Sequence, residues 1–159
     1  MNKTHSYNSD LNFTFDEEII NLAIIGAGRA GAFHVQSLSI NKQYNLKYIV
    51  DLDISKAKEL SEEANCKYSD NLDYVLSTDI SCVIICTTTP THYNLTMKCL
   101  ESGKHVLCEK PLGKTIVEIK NCFNLSKEKN VKLLIAYQKR FDTHYNKLYE
   151  LLQKEKAKG

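Results

Sequence analysis

A lysine set between a glutamate and a proline, Glu109-Lys110-Pro111, ends the apolar run 105–108 and opens a loop that reaches Gly113. A buried strand that stops on such residues presents charge at a sheet edge, where a cation can stabilise a developing oxyanion or help move a proton. A second cluster lies upstream, where residues 21–25 run into Gly26-Ala27-Gly28-Arg29-Ala30-Gly31. A pyrophosphate can approach a backbone closely only where side chains are missing, and the helix that follows offers free N–H groups and about half a unit of positive charge. Gly26 and Gly28 meet that need, Arg29 and Ala30 flank the turn, and Gly31 would let the helix pack against the strands. Asp51, twenty residues beyond Gly31 and at the tip of the next apolar run, can accept hydrogen bonds from the adenosine ribose hydroxyls. Its charge repels a 2′-phosphate, so NAD is favoured over NADP, although Arg29 could help hold such a phosphate. A plain strand-end or helix-capping carboxylate is the alternative for Asp51.

These clusters need elements to carry them. Short apolar runs at 21–25, 46–50, 66–68, 81–86, 105–108 and 132–136 alternate with segments of helical spacing, which predicts an α/β domain with a doubly wound parallel sheet. Several runs are apolar without alternation, as strands covered on both faces should be. Helices are expected from Arg29, with Ala30, Phe33, Ser37 and Leu38 on one face, and from Thr91 after the opener Pro90, with His92, Leu95, Thr96 and Cys99 together. Thr115 with Glu118 forms a capping box ahead of Ile116, Ile119 and Phe123. A last helix over 143–156 lines up Tyr145, Leu148, Tyr149 and Leu152, an apolar stripe that needs a cover.

Composition narrows the function classes. Lysine and arginine total 21 against 19 acids, with no basic run, so charge does not argue for nucleic acid. No apolar run is long enough to span a bilayer, and the first eighteen residues are polar without a signal-like core, which predicts a flexible extension over 1–18. Six cysteines sit mostly inside apolar segments without C-x-x-C or Cys/His ligand spacing, so no metal site is expected and a cytoplasmic location is.

Four motifs in order make the reading specific: the glycine loop followed by His34, the turn Thr88-Thr89-Pro90-Thr91-His92, Gly103-Lys104-His105-Val106 leading into Glu109-Lys110-Pro111, and Gln138-Lys139-Arg140-Phe141-Asp142. Together they resemble the glucose-fructose oxidoreductase, inositol dehydrogenase and rhizopine-catabolism family, and are nearest to its myo-inositol 2-dehydrogenase branch. The resemblance covers roughly residues 19–150 and implies a Rossmann domain over 19–142 with strand order 3-2-1-4-5-6. It implies NAD(P)-dependent oxidation of a secondary alcohol on a small-molecule sugar or polyol, with Lys110 beside the nicotinamide and the substrate hydroxyl. Glu109 would orient the lysine loop and the cofactor, Thr87, Thr88 and His92 would lie along the cofactor, and Arg140 would meet substrate hydroxyls. Gln138 is divided between cofactor contact and solvent, His92 between cofactor contact and a satisfied core position, and His34 reads as packing at the helix start.

Relatives of this kind continue into a second α/β domain that builds the substrate pocket. Residues 143–159 would begin the link to it, and the partner aspartate and histidine of the proton relay have no counterpart in this sequence. The expectation is therefore cofactor binding with little or no turnover by this chain in isolation. A homo-oligomer or a partner supplying the second domain would complete it. A non-catalytic NAD-binding regulatory or interaction module is the alternative.

Overall fold

The computed structural model describes residues 19–156; the expected extension over 1–18 lies outside them. Six strands form one parallel sheet: β1 (Ile20–Ile25), β2 (Tyr44–Val50), β3 (Lys67–Ser69), β4 (Cys82–Ile85), β5 (His105–Cys108) and β6 (Leu133–Ile135). Their order across the sheet is β3-β2-β1-β4-β5-β6, so the winding reverses between β1 and β4, as the resemblance implied.

Alternation along each strand feeds two cores. Ala23 and Ile25 of β1 join Val83, Ile85, Val106 and Cys108 on one face, while Leu22 and Ile24 join Ile49 and Ile84 on the other. The first face is covered by α3 (Leu72–Leu76), α4 (Thr89–Glu101) and α5 (Ile116–Glu128), through Val75, Cys99, Leu100 and Cys122. The second is covered by α1 (Arg29–Ser39) and α2 (Ile54–Ala64), through Val35, Ala57 and Leu60. A sixth helix, α6 (Thr143–Lys156), buries none of its residues, and Tyr145, Leu148, Tyr149 and Leu152 are each about half exposed.

Several local expectations change. Helices α2 and α3 are additions to the elements read from sequence. Helix α4 begins at Thr89 rather than Thr91, so Pro90 lies inside its first turn. Phe33 is 67% exposed, because α1 packs through Gly31 and Val35 instead. Ile116 is also exposed, and α5 buries Cys122 and Ser126. The capping box stands: Thr115 Oγ1 accepts from the Glu118 N–H, and the Glu118 carboxylate accepts from the Thr115 N–H.

The register aligns the strand ends. Ser69, Val50, Ile25, Ile85, Cys108 and Ile135 pair successively across the sheet, forming one row at its carboxyl edge. Whatever follows that row is delivered to the same edge.

Candidate cofactor and active site

Gly26, Asp51, Thr87, Glu109, Lys110 and Gln138 all lie within three residues of that terminal row, so the parallel register gathers motifs that are far apart in sequence. Backbone bonds carry the alignment past the strands. The N–H of Gly26 donates to Val50, that of Cys86 to Ile25 and that of Glu109 to Ile85, at 2.7, 2.7 and 2.9 Å.

Three glycines shape the turn differently. Gly26 has φ +106°, and a Cβ there would meet the Cys86 carbonyl at 2.8 Å. A Cβ on Gly31 would run into the Gly26 carbonyl oxygen, so this residue lets α1 close onto β1. A Cβ on Gly28 would touch nothing within 4 Å. Packing therefore accounts for two of the glycines and leaves the third to be explained by what approaches it.

Helix capping points the same way. Asp53, Asn71 and Thr115 cap α2, α3 and α5 with side-chain oxygens, whereas α1 and α4 start at Gly28 and Thr88 without a side-chain cap. Those two helices follow β1 and β4, the neighbours at which the winding reverses. Both therefore start at the carboxyl edge of the sheet with uncapped first-turn N–H groups, which favour an anion. Arg29 is exposed and Ala30 half-buried at the start of α1.

Asp51 is tied to the glycine turn. Its Oδ2 accepts from the Ala27 N–H at 2.8 Å and its Oδ1 accepts from the Asp53 N–H at 2.9 Å. It thus braces the loop and shapes the following turn; each oxygen retains a second lone pair for a ribose hydroxyl. Asp51 is thus a strand-end carboxylate and not a helix cap, because α2 takes its cap from Asp53.

Across the crevice, Thr91 Oγ1 donates to the Thr88 carbonyl at 2.8 Å, leaving the Thr87 hydroxyl to donate to Thr91 Oγ1 at 2.7 Å. His92 is 2% exposed, with Nδ1 2.7 Å from the Pro111 carbonyl oxygen and Nε2 3.0 Å from that of Thr87. Its ring is committed to backbone rather than turned to the crevice.

Lys110 is exposed, and its side chain forms no ion pair or hydrogen bond among the described residues. Its neighbour Glu109 is 3.1 Å from His34 Nε2 of α1. Strand β4 lies between β1 and β5, so this contact crosses over the end of β4 and ties the glycine helix to the lysine loop. Sequence reasoning assigned His34 to packing; nothing local identifies a partner 75 residues away. Gln138 and Arg140 stand on the exposed 3-10 turn Gln138–Phe141 beyond β6, where Arg140 lies 5.9 Å from the Tyr137 ring centroid. They share the sheet edge but make no side-chain hydrogen bond to the lysine loop.

The thiols at this edge are not nucleophiles at neutral pH. Burial foremost, with the nearby Glu109 carboxylate and Cys108, pushes Cys86 up to about 12, and burial pushes Cys108 to about 11.

Known proteins share this fold. A family model described as an oxidoreductase family with an NAD-binding Rossmann fold matches residues 20–137. The uncharacterized oxidoreductase YrbE of Bacillus subtilis is 31% identical over 132 residues, covering 82% of this chain and 39% of its own length. Myo-inositol 2-dehydrogenase of Thermotoga maritima is 28% identical over 134 residues, covering 83% and 40%. Among solved structures, GenD2 from gentamicin A biosynthesis, in complex with NAD, superposes with a TM-score of 0.73 at 25% identity, covering 74% of this chain and 34% of that one. The chain thus spans about two fifths of the length of the curated relatives it matches.

Proposed function

The chain belongs to the oxidoreductase family that carries an NAD-binding Rossmann fold, and from that premise we propose that it serves the NAD-linked oxidation of a secondary alcohol on a sugar or polyol such as myo-inositol. The observation that carries this reading is the convergence of the glycine turn and the lysine loop on one edge of the sheet, joined by the His34–Glu109 contact across β4.

The residues fit a dinucleotide. Gly28 leaves room for a phosphate, and the N–H groups opening α1 supply partial positive charge, with Arg29 and Ala30 alongside. The second lone pairs of Asp51 accept from ribose hydroxyls, and its charge opposes a 2′-phosphate, so NAD is preferred to NADP. Thr87, Thr88 and Gln138 flank the nicotinamide side, and Glu109 orients the loop. Bound NAD supplies the hydride acceptor. The Lys110 ammonium would stabilise the alkoxide that develops as the alcohol loses its proton, and Arg140 would meet further substrate hydroxyls. On this reading the chain is the nucleotide-holding half of the catalyst, α6 begins the link to the substrate-holding part, and hydride transfer requires that part to close the site against water.

The direct test is a titration of the full chain with NAD and NADP beside an assay of NADH formation over a panel of polyols. NAD binding at least about tenfold tighter than NADP is expected. Lys110→Met should leave NAD affinity within about threefold while lowering any polyol-dependent NADH formation by about a hundredfold or more. Binding without reduction by any polyol, even when the substrate-holding part is supplied, would favour a regulatory NAD-binding module, and absence of binding would refute both.

A further inference from the structure

Lys110 is exposed and no described residue grips its ammonium group, so among the described residues its placement comes from the chain on either side of it. Both flanking residues are held by histidines from different helices. Glu109 meets His34 of α1 at 3.1 Å, and the Pro111 carbonyl meets His92 of α4 at 2.7 Å. His92 reaches further, because its second nitrogen lies 3.0 Å from the carbonyl of Thr87 in the turn after β4. A single buried ring therefore lies between the turn after β4 and the loop that carries the lysine, within hydrogen-bond distance of a carbonyl on each.

The chemistry of these contacts is specific. A carbonyl oxygen only accepts, so each hydrogen bond needs a ring N–H, and a neutral imidazole has one while the protonated ring has two. Because His92 is 2% exposed, water cannot replace a contact that is lost. The His34–Glu109 pair is more accessible, with side chains 17% and 20% exposed, and is the weaker of the two.

We infer that His92 and His34 are positioning residues for the lysine loop: two latches that fix the backbone on either side of Lys110 between α1 and α4. His92 acts through Thr87 and Pro111, not by touching the nucleotide. The inference rests on the reading above for its ligand, because a loop held in this way matters only if it meets the nicotinamide end of a dinucleotide. A displacement of about an ångström in such a group can cost a large factor in rate, which is why loop order is a functional quantity here.

The two ends of the ligand separate the possibilities. ADP-ribose reaches the glycine turn and Asp51 but lacks the nicotinamide, so the latches should matter for NAD and not for ADP-ribose. In the full chain, His92→Phe should weaken NAD binding about tenfold while changing ADP-ribose affinity less than about twofold. It should also lower the heteronuclear 15N NOE of the Glu109 and Lys110 amides without altering Ile84 or Val106. His92→Asn, which returns a donor near the position of Nδ1, should recover most of both effects. Equal losses for the two ligands with the loop still ordered would reduce His92 to a support of the fold and overturn the inference. Should His92→Phe not fold, His34→Ala decides: a lower NOE at Glu109 is expected, and an unchanged one overturns the two-latch arrangement. A parent chain that binds neither ligand would refute the proposed function, and the apo NOE measurements would still judge the latches.

Discussion

The glycine turn and the lysine loop lie at the same edge of the sheet but are built by opposite means. The turn is set by backbone packed on backbone: Gly26 at positive φ against Cys86, Gly31 against the Gly26 carbonyl, and Asp51 bonded to the Ala27 N–H. The lysine loop is set by polar side chains, His34 on Glu109 and His92 on Pro111, while Lys110 itself projects into solvent. On the proposed function, the end that meets the nucleotide phosphates would be set by packing within this chain, whereas the end that meets the substrate would depend on side-chain hydrogen bonds.

The sharpest way to break that contrast is to add a methyl group to the turn. Gly31→Ala forces α1 away from β1 and should cost about 3 kcal/mol or more, visible as a large drop in Tm and loss of NAD binding together. Gly28→Ala should do something different. With nothing within 4 Å of the added carbon, stability should change by less than about 1 kcal/mol, whereas NAD affinity falls about a hundredfold because the methyl occupies the phosphate approach. If both variants lost stability equally, the division between packing and ligand glycines would be wrong.

A smaller effect is expected at Asp51→Asn. Its amide oxygen can still accept from the Ala27 N–H at the loss of the bond from the exposed Asp53 N–H, so the glycine turn should persist while NAD affinity drops about tenfold and the preference over NADP narrows. Isothermal titration with both nucleotides measures this.

The smallest effect belongs to the opposite edge of the sheet. Burial, followed by the Lys132 ammonium, holds His105 below its ordinary value of 6.5, and its Nδ1 accepts from the Lys132 N–H, which requires the neutral ring. The unfolded chain then binds the proton more readily than the folded one. This contribution is present above about pH 6.5 and is lost as pH falls through the lower folded value. Urea midpoints measured from pH 7 to pH 5 should decline, and His105→Phe should flatten that part of the decline.

The strands could be read from the sequence because runs such as residues 21–25 and 105–108 are covered on both faces and lose their alternation. The helix faces were harder. In α1 the residues that approach the sheet are small, Gly31 and Val35, so the large Phe33 misdirected the apolar face. Helix α2 buries only Ala57, Leu60 and Ser61 within an otherwise polar segment, and α3 has five residues, too few for a helical period to stand out. At the site, the chemical types of Gly28, Asp51 and Lys110 were visible, but their meeting depends on sheet register, and the partnership of His34 with Glu109 depends on a crossing over β4. Such long-range pairing leaves no local pattern.

On the proposed function, both regions grip opposite ends of one nicotinamide nucleotide. Amide shift mapping of the full chain during titration with NAD and then with ADP-ribose tests it most directly. NAD should move the amides of Gly28, Ala30 and Asp51 together with those of Glu109, Lys110 and Leu112, while ADP-ribose should move only the first group. NAD shifts confined to one group, or identical responses to the two ligands, would contradict it.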